Sequence, residues 1–208
     1  MSTNESPERA EKPDRLGLFN VASGQAGYFT TEQAQSAGFS RALLAHHAKT
    51  GRFIHIRHGL YRIREYPSFP REHVLAAWLT IGKDTAVVSH ESALDLLDLS
   101  DLIPDAVHLT VPRSRRKTPA IPGVKVHTTD RPIGPDEREH RQGIVVTSAT
   151  RSILDTAEKG ADPEQIQLAV AQAIERGLAT EEEMRRAVSQ RSRRVAGLVL
   201  GALGKVAA

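Results

Sequence analysis

The sequence contains no cysteine, which excludes a disulfide framework, thiolate chemistry and a cysteine-ligated zinc site. It also lacks an apolar run of membrane-spanning length, because its longest weak candidate, residues 195–206, is short and interrupted by glycine. The first residues lack the apolar core of a secretory signal, and we expect a disordered tail over residues 1–13. We therefore expect a cytoplasmic protein without a membrane partner. Its 208 residues suffice for one or two domains with a proper core.

A third absence is local, because no acidic residue occurs between Gln33 and Arg64. This basic segment holds six arginine and lysine residues and four histidines, whereas the formal net charge of the whole chain is only +3. A basic cluster on one small part of a protein is the electrostatic signature of polyanion binding. We therefore take double-stranded DNA as the first candidate partner.

Local patterns around the basic segment predict a helix-turn-helix followed by a β-hairpin. Thr30 and Gln33 have the spacing of a capping box, and Ser40 can cap the next helix. Two alternating segments around a His-Gly turn then predict paired strands. The predicted elements are helices over residues 14–23, 30–37 and 41–49 and strands over residues 53–57 and 60–64.

The second half predicts a mixed α/β domain that ends in helices. Two prolines within residues 66–70 indicate a linker. The fold class is therefore α/β (α+β), with a winged helix-turn-helix over residues 14–66 and a C-terminal domain over residues 71–208. The predicted strands are 85–89, 106–111, 123–128 and 144–147, and the predicted helices are 72–80, 90–97, 150–159, 163–177 and one long final helix over 180–200.

A helical wheel of the third helix separates a packed side from a plausible DNA-reading side. Leu43, Leu44, His47 and Ala48 fall on the packed side, and Arg41, Ala42, Ala45, His46 and Lys49 fall on the other. Arg41 lies at the helix N-terminus, where such helices meet base edges, and can contact guanine through two hydrogen bonds. Lys49 is expected to contact phosphate. The alternative is that this charged face is only solvated.

The hairpin is expected to present a second basic face to phosphates or the minor groove. Its alternation predicts that Ile54, Ile56, Tyr61 and Ile63 face inward and that His55, Arg57, Arg62 and Arg64 face outward. The predicted DNA-binding residues are therefore Ser40, Arg41, Ala45, His46, Lys49, Arg52, His55, Arg57, His58, Arg62 and Arg64.

The run from Tyr28 to Ile63 resembles the N-terminal winged helix of AbiEi-type antitoxins of bacterial type IV toxin–antitoxin systems. The likeness is carried by T-x-x-Q-A near Thr31, A-G-F-S near Gly38 and G-R-F-I-x-I-R-x-G-L-Y-R near Arg52. It continues through VVSHESALDLLDLSD, VHLTVPRSRR and VTSATRSILDTA, so it spans nearly the whole chain after Arg15.

The resemblance implies an antitoxin that represses its own operon by binding inverted repeats in the promoter, with dimerisation on DNA left open. It further implies that the C-terminal domain neutralises a nucleotidyltransferase-like toxin, directly or indirectly. On this interpretation the protein is not an enzyme and has no catalytic residue or cofactor. Two alternatives stay open, a ligand-responsive regulator without a toxin partner and a nucleic-acid-processing enzyme.

Several motifs in the second half of the sequence allow both a functional and a structural interpretation. A basic loop can make a second nucleic-acid contact or can be merely solvated, and its cations are Arg113, Arg115, Arg116 and Lys117. In Ser89-His90-Glu91-Ser92 the first serine is interpreted as a helix cap rather than as a nucleophile. Arg151 and Asp155 have the spacing of an ordinary surface pair on a helix. The histidines show no HExxH spacing, so no metal site is expected.

Overall fold

The computed structural model describes residues 12–118 and 120–206, and the chain divides into two units, Met1–Glu72 and His73–Ala208. The disordered tail expected over residues 1–13 lies almost entirely outside the described residues. Among the described helices, none combines the length and apolar character needed to cross a bilayer.

The first unit is a helix-turn-helix-like region with a small sheet. The Thr30 and Gln33 capping box is present, and the Ser40 hydroxyl accepts a hydrogen bond from the Leu43 amide at 3.2 Å, so α3 begins where the sequence predicted. The short strand β1 was not predicted. The elements are α1 (Arg15–Ser23), β1 (Tyr28–Thr30), α2 (Thr31–Ser36), α3 (Arg41–Lys49), β2 (Phe53–Arg57) and β3 (Leu60–Ile63).

The core of the first unit is aromatic and lies between the helices and one face of the sheet. The Phe29 and Phe53 rings meet edge to face at 4.9 Å, a favourable arrangement for aromatic pairs. The three strands pair antiparallel in the order β1-β3-β2. The buried members of this core are Leu18, Ala22, Phe29, Ala34, Phe39, Leu44 and Phe53.

A register shift in the hairpin overturns the predicted sorting of its side chains. Arg57 pairs with Leu60, but the next recorded pair is His55 with Tyr61, so one residue of β2 is left out between them. Such a bulge reverses which residues of the two strands share a face. Directly paired residues face the same way, so Ile54 and Ile63 lie on opposite faces, as do His55 and Arg62. The predicted sorting is therefore wrong for β2, whereas Tyr61 and Ile63 of β3 pack against the core as predicted.

The second unit is a mixed five-stranded sheet with helices, which agrees with the predicted fold class. The sheet order is β6-β5-β4-β8-β7; β4 runs antiparallel to β5 and parallel to β8, β5 and β6 are parallel, and β7 and β8 are antiparallel. The elements are α4 (Glu72–Ile81), β4 (Val87–Val88), α5 (His90–Leu96), β5 (Val107–Pro112), β6 (Val124–Thr129), β7 (Arg138–Arg141), β8 (Ile144–Thr147), α6 (Ala149–Glu158), α7 (Pro163–Glu175), α8 (Glu181–Val188) and α9 (Arg193–Val206).

Two parts of the second unit differ from the sequence prediction. The strand β7, whose sequence is Arg-Glu-His-Arg, was not predicted because it has no apolar alternation. The prediction of a single final helix over residues 180–200 is wrong, since α8 ends at Val188 and α9 begins at Arg193. Arg191 lies in the break, where its guanidinium bonds to Asp155 at 2.6 Å.

Candidate nucleic-acid interface

The helix α3 has one packed face and one open face, as the helical wheel predicted. Leu44 and His47 are buried, and the His47 ring lies 5.1 Å from the Phe53 ring. Burial, with smaller contributions from neighbouring cations, lowers the pKa of His47, so this residue adds no charge at neutral pH. The exposed residues of the helix are Arg41, Ala42, Ala45, His46 and Lys49.

The cations beside this open face have no acidic partner. Across residues 12–118 and 120–206, no ion pair involves Arg41, Lys49 or Arg52, and all three side chains are exposed. Uncompensated positive charge on an exposed helix face attracts phosphate at long range, and the two small alanines leave room for close approach.

Arg62 does not belong to this basic surface, contrary to the sequence prediction. The residue is 6% exposed, and its guanidinium donates to the carbonyl oxygens of Tyr66 and Pro67 at 2.9 Å each. Its guanidinium also lies 3.5 Å from a Glu72 carboxylate oxygen and 5.5 Å from the Tyr28 ring centroid. Arg62 therefore fastens the segment after β3 to the sheet, and its charge is largely neutralised within the protein.

The other cations and histidines of the hairpin are placed unevenly. His55 is exposed beside the Tyr61 ring at 5.0 Å, and His58 is exposed in the turn, where Gly59 adopts a φ of 74°. Arg57 is half-buried. Arg64 is exposed, but its Nε donates to the Gly51 carbonyl oxygen, which ties it to the end of α3.

The basic loop after β5 is a separate exposed surface in the second unit. Of the four cations of this loop, Arg113 pairs with Asp130 at 3.0 Å. Arg115, Arg116 and Lys117 are exposed, and none of them pairs with a carboxylate in the described part of the chain. The structure thus leaves both a second nucleic-acid contact and a solvated loop open for this segment.

Comparisons with known proteins agree with this geometry. Residues 18–64 match the family model described as "Transcriptional regulator, AbiEi antitoxin", and α1 to β3 occupy this range almost completely. The resemblance to AbiEi-type antitoxins is confirmed. The match supports a regulator role and DNA binding for the N-terminal unit, and it names a regulator rather than an enzyme. It spans well under half of the chain.

A structural likeness extends over nearly the whole molecule. The crystal structure of RV2827C protein from Mycobacterium tuberculosis matches with a TM-score of 0.55 at 15% identity, covering 95% of this chain and 80% of that one. At this identity the likeness concerns the fold alone. No curated protein matches the chain.

Two charged or polar clusters of the second unit were not foreseen. Asp155 was expected at the surface but is buried, and it accepts from Arg151 at 2.7 Å and from Arg191 at 2.6 Å. Burial acts to lower the pKa of Arg151, but Asp155 and Glu137 more than offset it, so that pKa is raised and the charge is kept. The expected i, i+4 pair of Arg151 and Asp155 is therefore present, but its predicted surface location is wrong.

The second cluster joins Ser89 to three histidines. Ser89 stands at the N-cap position of α5 but makes no capping bond; its hydroxyl instead lies 2.9 Å from His90 Nδ1 and accepts from Thr110 at 2.8 Å. Ser89 therefore occupies the predicted N-cap position, but the predicted capping hydrogen bond is absent. The strand pairing brings His108 and His127 beside His90. The sequence does place His108 and His127 on two predicted strands. That these strands are neighbours in the sheet follows only from the strand order, which the sequence does not give.

Proposed function

We propose that this protein is an antitoxin of the type IV toxin–antitoxin class that represses its own operon. Its first unit, spanning the expected DNA-binding domain of residues 14–66, binds inverted repeats in the promoter through α3 and the hairpin. Arg41 contacts a base edge, and Lys49 and Arg52 contact phosphates. The C-terminal domain of residues 71–208 neutralises a nucleotidyltransferase-like toxin, directly or indirectly, without enzymatic activity of its own. The protein acts in the cytoplasm.

The observation that carries the DNA-binding part is the open face of α3, where exposed cations lack carboxylate partners among the described residues. The match of residues 18–64 to an antitoxin regulator family supports the same assignment. Arg62 is removed from the proposed contact set, which becomes Ser40, Arg41, Ala45, His46, Lys49, Arg52, His55, Arg57, His58 and Arg64.

Footprinting on the region upstream of the protein's own gene tests the proposal. The full-length protein is expected to protect repeated sites, and Arg41→Ala to weaken specific binding by about 1–3 kcal/mol. Arg193→Ala is the matched control, since this arginine is also exposed but lies at the start of α9. Equal loss in both variants would show nonspecific charge attraction and contradict base reading by Arg41.

The toxin part is tested separately in cells that express a nucleotidyltransferase-like toxin encoded in the same operon as this protein. The wild-type protein is expected to rescue growth, and Arg41→Ala to rescue it equally well, because neutralisation is assigned to the other unit. Absence of rescue by the wild type would contradict the antitoxin assignment while leaving the regulator role standing.

A further inference from the structure

Three histidines from three elements of the second unit converge on one place. His90 begins α5, His108 lies on β5 and His127 lies on β6, whose parallel register sets His127 opposite Thr110. Residues 108, 110 and 127 therefore share one face of the sheet. The ligand atoms of the three imidazoles all lie within 4.8 Å of one another, and the His90 and His127 rings are stacked at 3.8 Å.

The spacing matches that of ligands around a tetrahedral ion. Zinc binds imidazole nitrogen at about 2.0–2.1 Å, so two nitrogens of one tetrahedral site lie about 3.3–3.4 Å apart. A hydrogen bond joins His127 Nε2 and His108 Nδ1 at 3.3 Å, which is the same separation. Small ring rotations are enough to close the set around one ion, because the ligand atoms already lie so close together.

In His90 and His108 one ring nitrogen is directed outward, and the other nitrogen is available to this space. His90 Nδ1 is engaged by the Ser89 hydroxyl, which leaves Nε2 as its ligand atom. His108 is 4% exposed, and its Nε2 has no hydrogen-bond partner among the described residues. That atom lies 4.0 Å from a Glu91 carboxylate oxygen and 3.9 Å from one of Asp105. A carboxylate behind a ligating histidine is the usual outer shell of a metal site.

A purely structural role explains these observations less well. Buried imidazole nitrogens need hydrogen-bond partners, and apolar residues would fill a helix–sheet junction without that requirement. His90 also adopts a φ of 54°, a left-handed conformation that is uncommon for a residue with a side chain. Such outliers concentrate at functional sites, where the surrounding structure holds them in place.

We propose that His90, His108 and His127 bind one divalent first-row transition-metal ion, of which zinc is the reference. Three imidazoles suit zinc, copper, nickel or iron and do not suit magnesium or calcium. An open cavity of about 420 Å³, lined in part by His90 and His127, gives the ion access and leaves a fourth position for water. The site is independent of the proposed DNA-binding function.

Zinc titration of the tag-free, chelator-treated full-length protein tests the proposal by calorimetry. We expect one high-affinity equivalent per chain, with no competition from magnesium. His127→Gln should weaken zinc affinity at least tenfold, as expected for loss of a direct ligand. Because this ring is only half-buried, the substitution should leave the fold intact, which circular dichroism of the metal-free variant checks.

Two matched variants separate the site from adventitious binding. Glu91→Gln keeps the side-chain size and should weaken zinc about 10–100-fold through His108 alone. His140→Gln removes an exposed histidine of β7, at the edge of the sheet opposite β6, and should leave zinc affinity unchanged. Absence of zinc binding by the wild type, or equal binding by the wild type and His127→Gln, would overturn the proposal. Loss of the tight equivalent in His140→Gln would do the same.

Discussion

The arginines of the two units differ in what neutralises them. Around α3, Arg41 and Arg52 are exposed and have no carboxylate partner among the described residues, whereas Arg151 and Arg191 in the second unit converge on the buried Asp155. Free charge attracts a polyanion from solution, while paired charge holds elements of a fold together. Counting basic residues therefore does not locate a binding surface; the local balance of acids does.

Arg62 shows that the distinction does not follow the boundary between the units. It belongs to the basic segment by sequence, yet by contacts it resembles the arginines around Asp155, since it bonds two backbone carbonyls and lies beside Glu72. What separates the two groups of arginines is therefore whether each has a partner within the protein, not the unit to which it belongs.

The largest effect is expected from removing the shared partner of two arginines. Asp155→Ala leaves Arg151 and Arg191 half-buried without their common carboxylate, so it should lower the free energy of unfolding by about 3–5 kcal/mol. Chemical denaturation followed by circular dichroism measures this. Asp130→Ala is the control, because its pair with Arg113 is exposed and should contribute at most about 1 kcal/mol. Similar losses of unfolding free energy in the two variants would contradict the difference between the buried and the exposed pair.

Arg62→Ala should behave as a stability variant. It loses two hydrogen bonds from a charged donor, and the expected cost is about 1.5–3 kcal/mol of unfolding free energy. Arg52→Ala, at an exposed site nearby, should change that free energy by no more than about 0.5 kcal/mol. Equilibrium unfolding of both variants checks the prediction, and an unchanged midpoint for Arg62→Ala would contradict it.

A smaller effect is expected at the start of α3. Ser40→Ala removes the hydroxyl that accepts from the Leu43 amide and should cost about 1 kcal/mol. Ser40→Asp keeps an acceptor and should retain stability, but it places a negative charge beside Arg41. Its DNA affinity should fall while its thermal midpoint stays near that of the wild type. If Ser40→Asp binds DNA as well as the wild type, the helix N-terminus is not near phosphate or bases.

Local patterns were sufficient for α3 and insufficient for the hairpin. The ends of α3 follow from Ser40 and from a 3.6-residue alternation, both contained within the helix. The face of each β2 residue depends on a bulge between Arg57 and His55, which no residue type in the strand indicates. Arg62 lies on the β3 face opposite Tyr61 and Ile63, as the alternation predicts, but it is buried because it bonds the Tyr66 and Pro67 carbonyls of the following segment.

The same limit applies to the second unit. The break between α8 and α9 coincides with the bond of Arg191 to Asp155, a contact between residues far apart in sequence. The histidine cluster depends on β5 and β6 being neighbours in the sheet, and strand order is not encoded in the spacing of His90, His108 and His127. Elements set by local periodicity were predicted, and sites assembled by topology were not.

The salt dependence of DNA binding by Lys49→Ala and Arg62→Ala, measured side by side, separates a free cation from a paired one. Each phosphate contact contributes about one unit to the slope of log affinity against log salt concentration. We expect that Lys49→Ala lowers the slope by about one and that folded Arg62→Ala keeps the wild-type slope. A lowered slope for Arg62→Ala together with an unchanged slope for Lys49→Ala would contradict it.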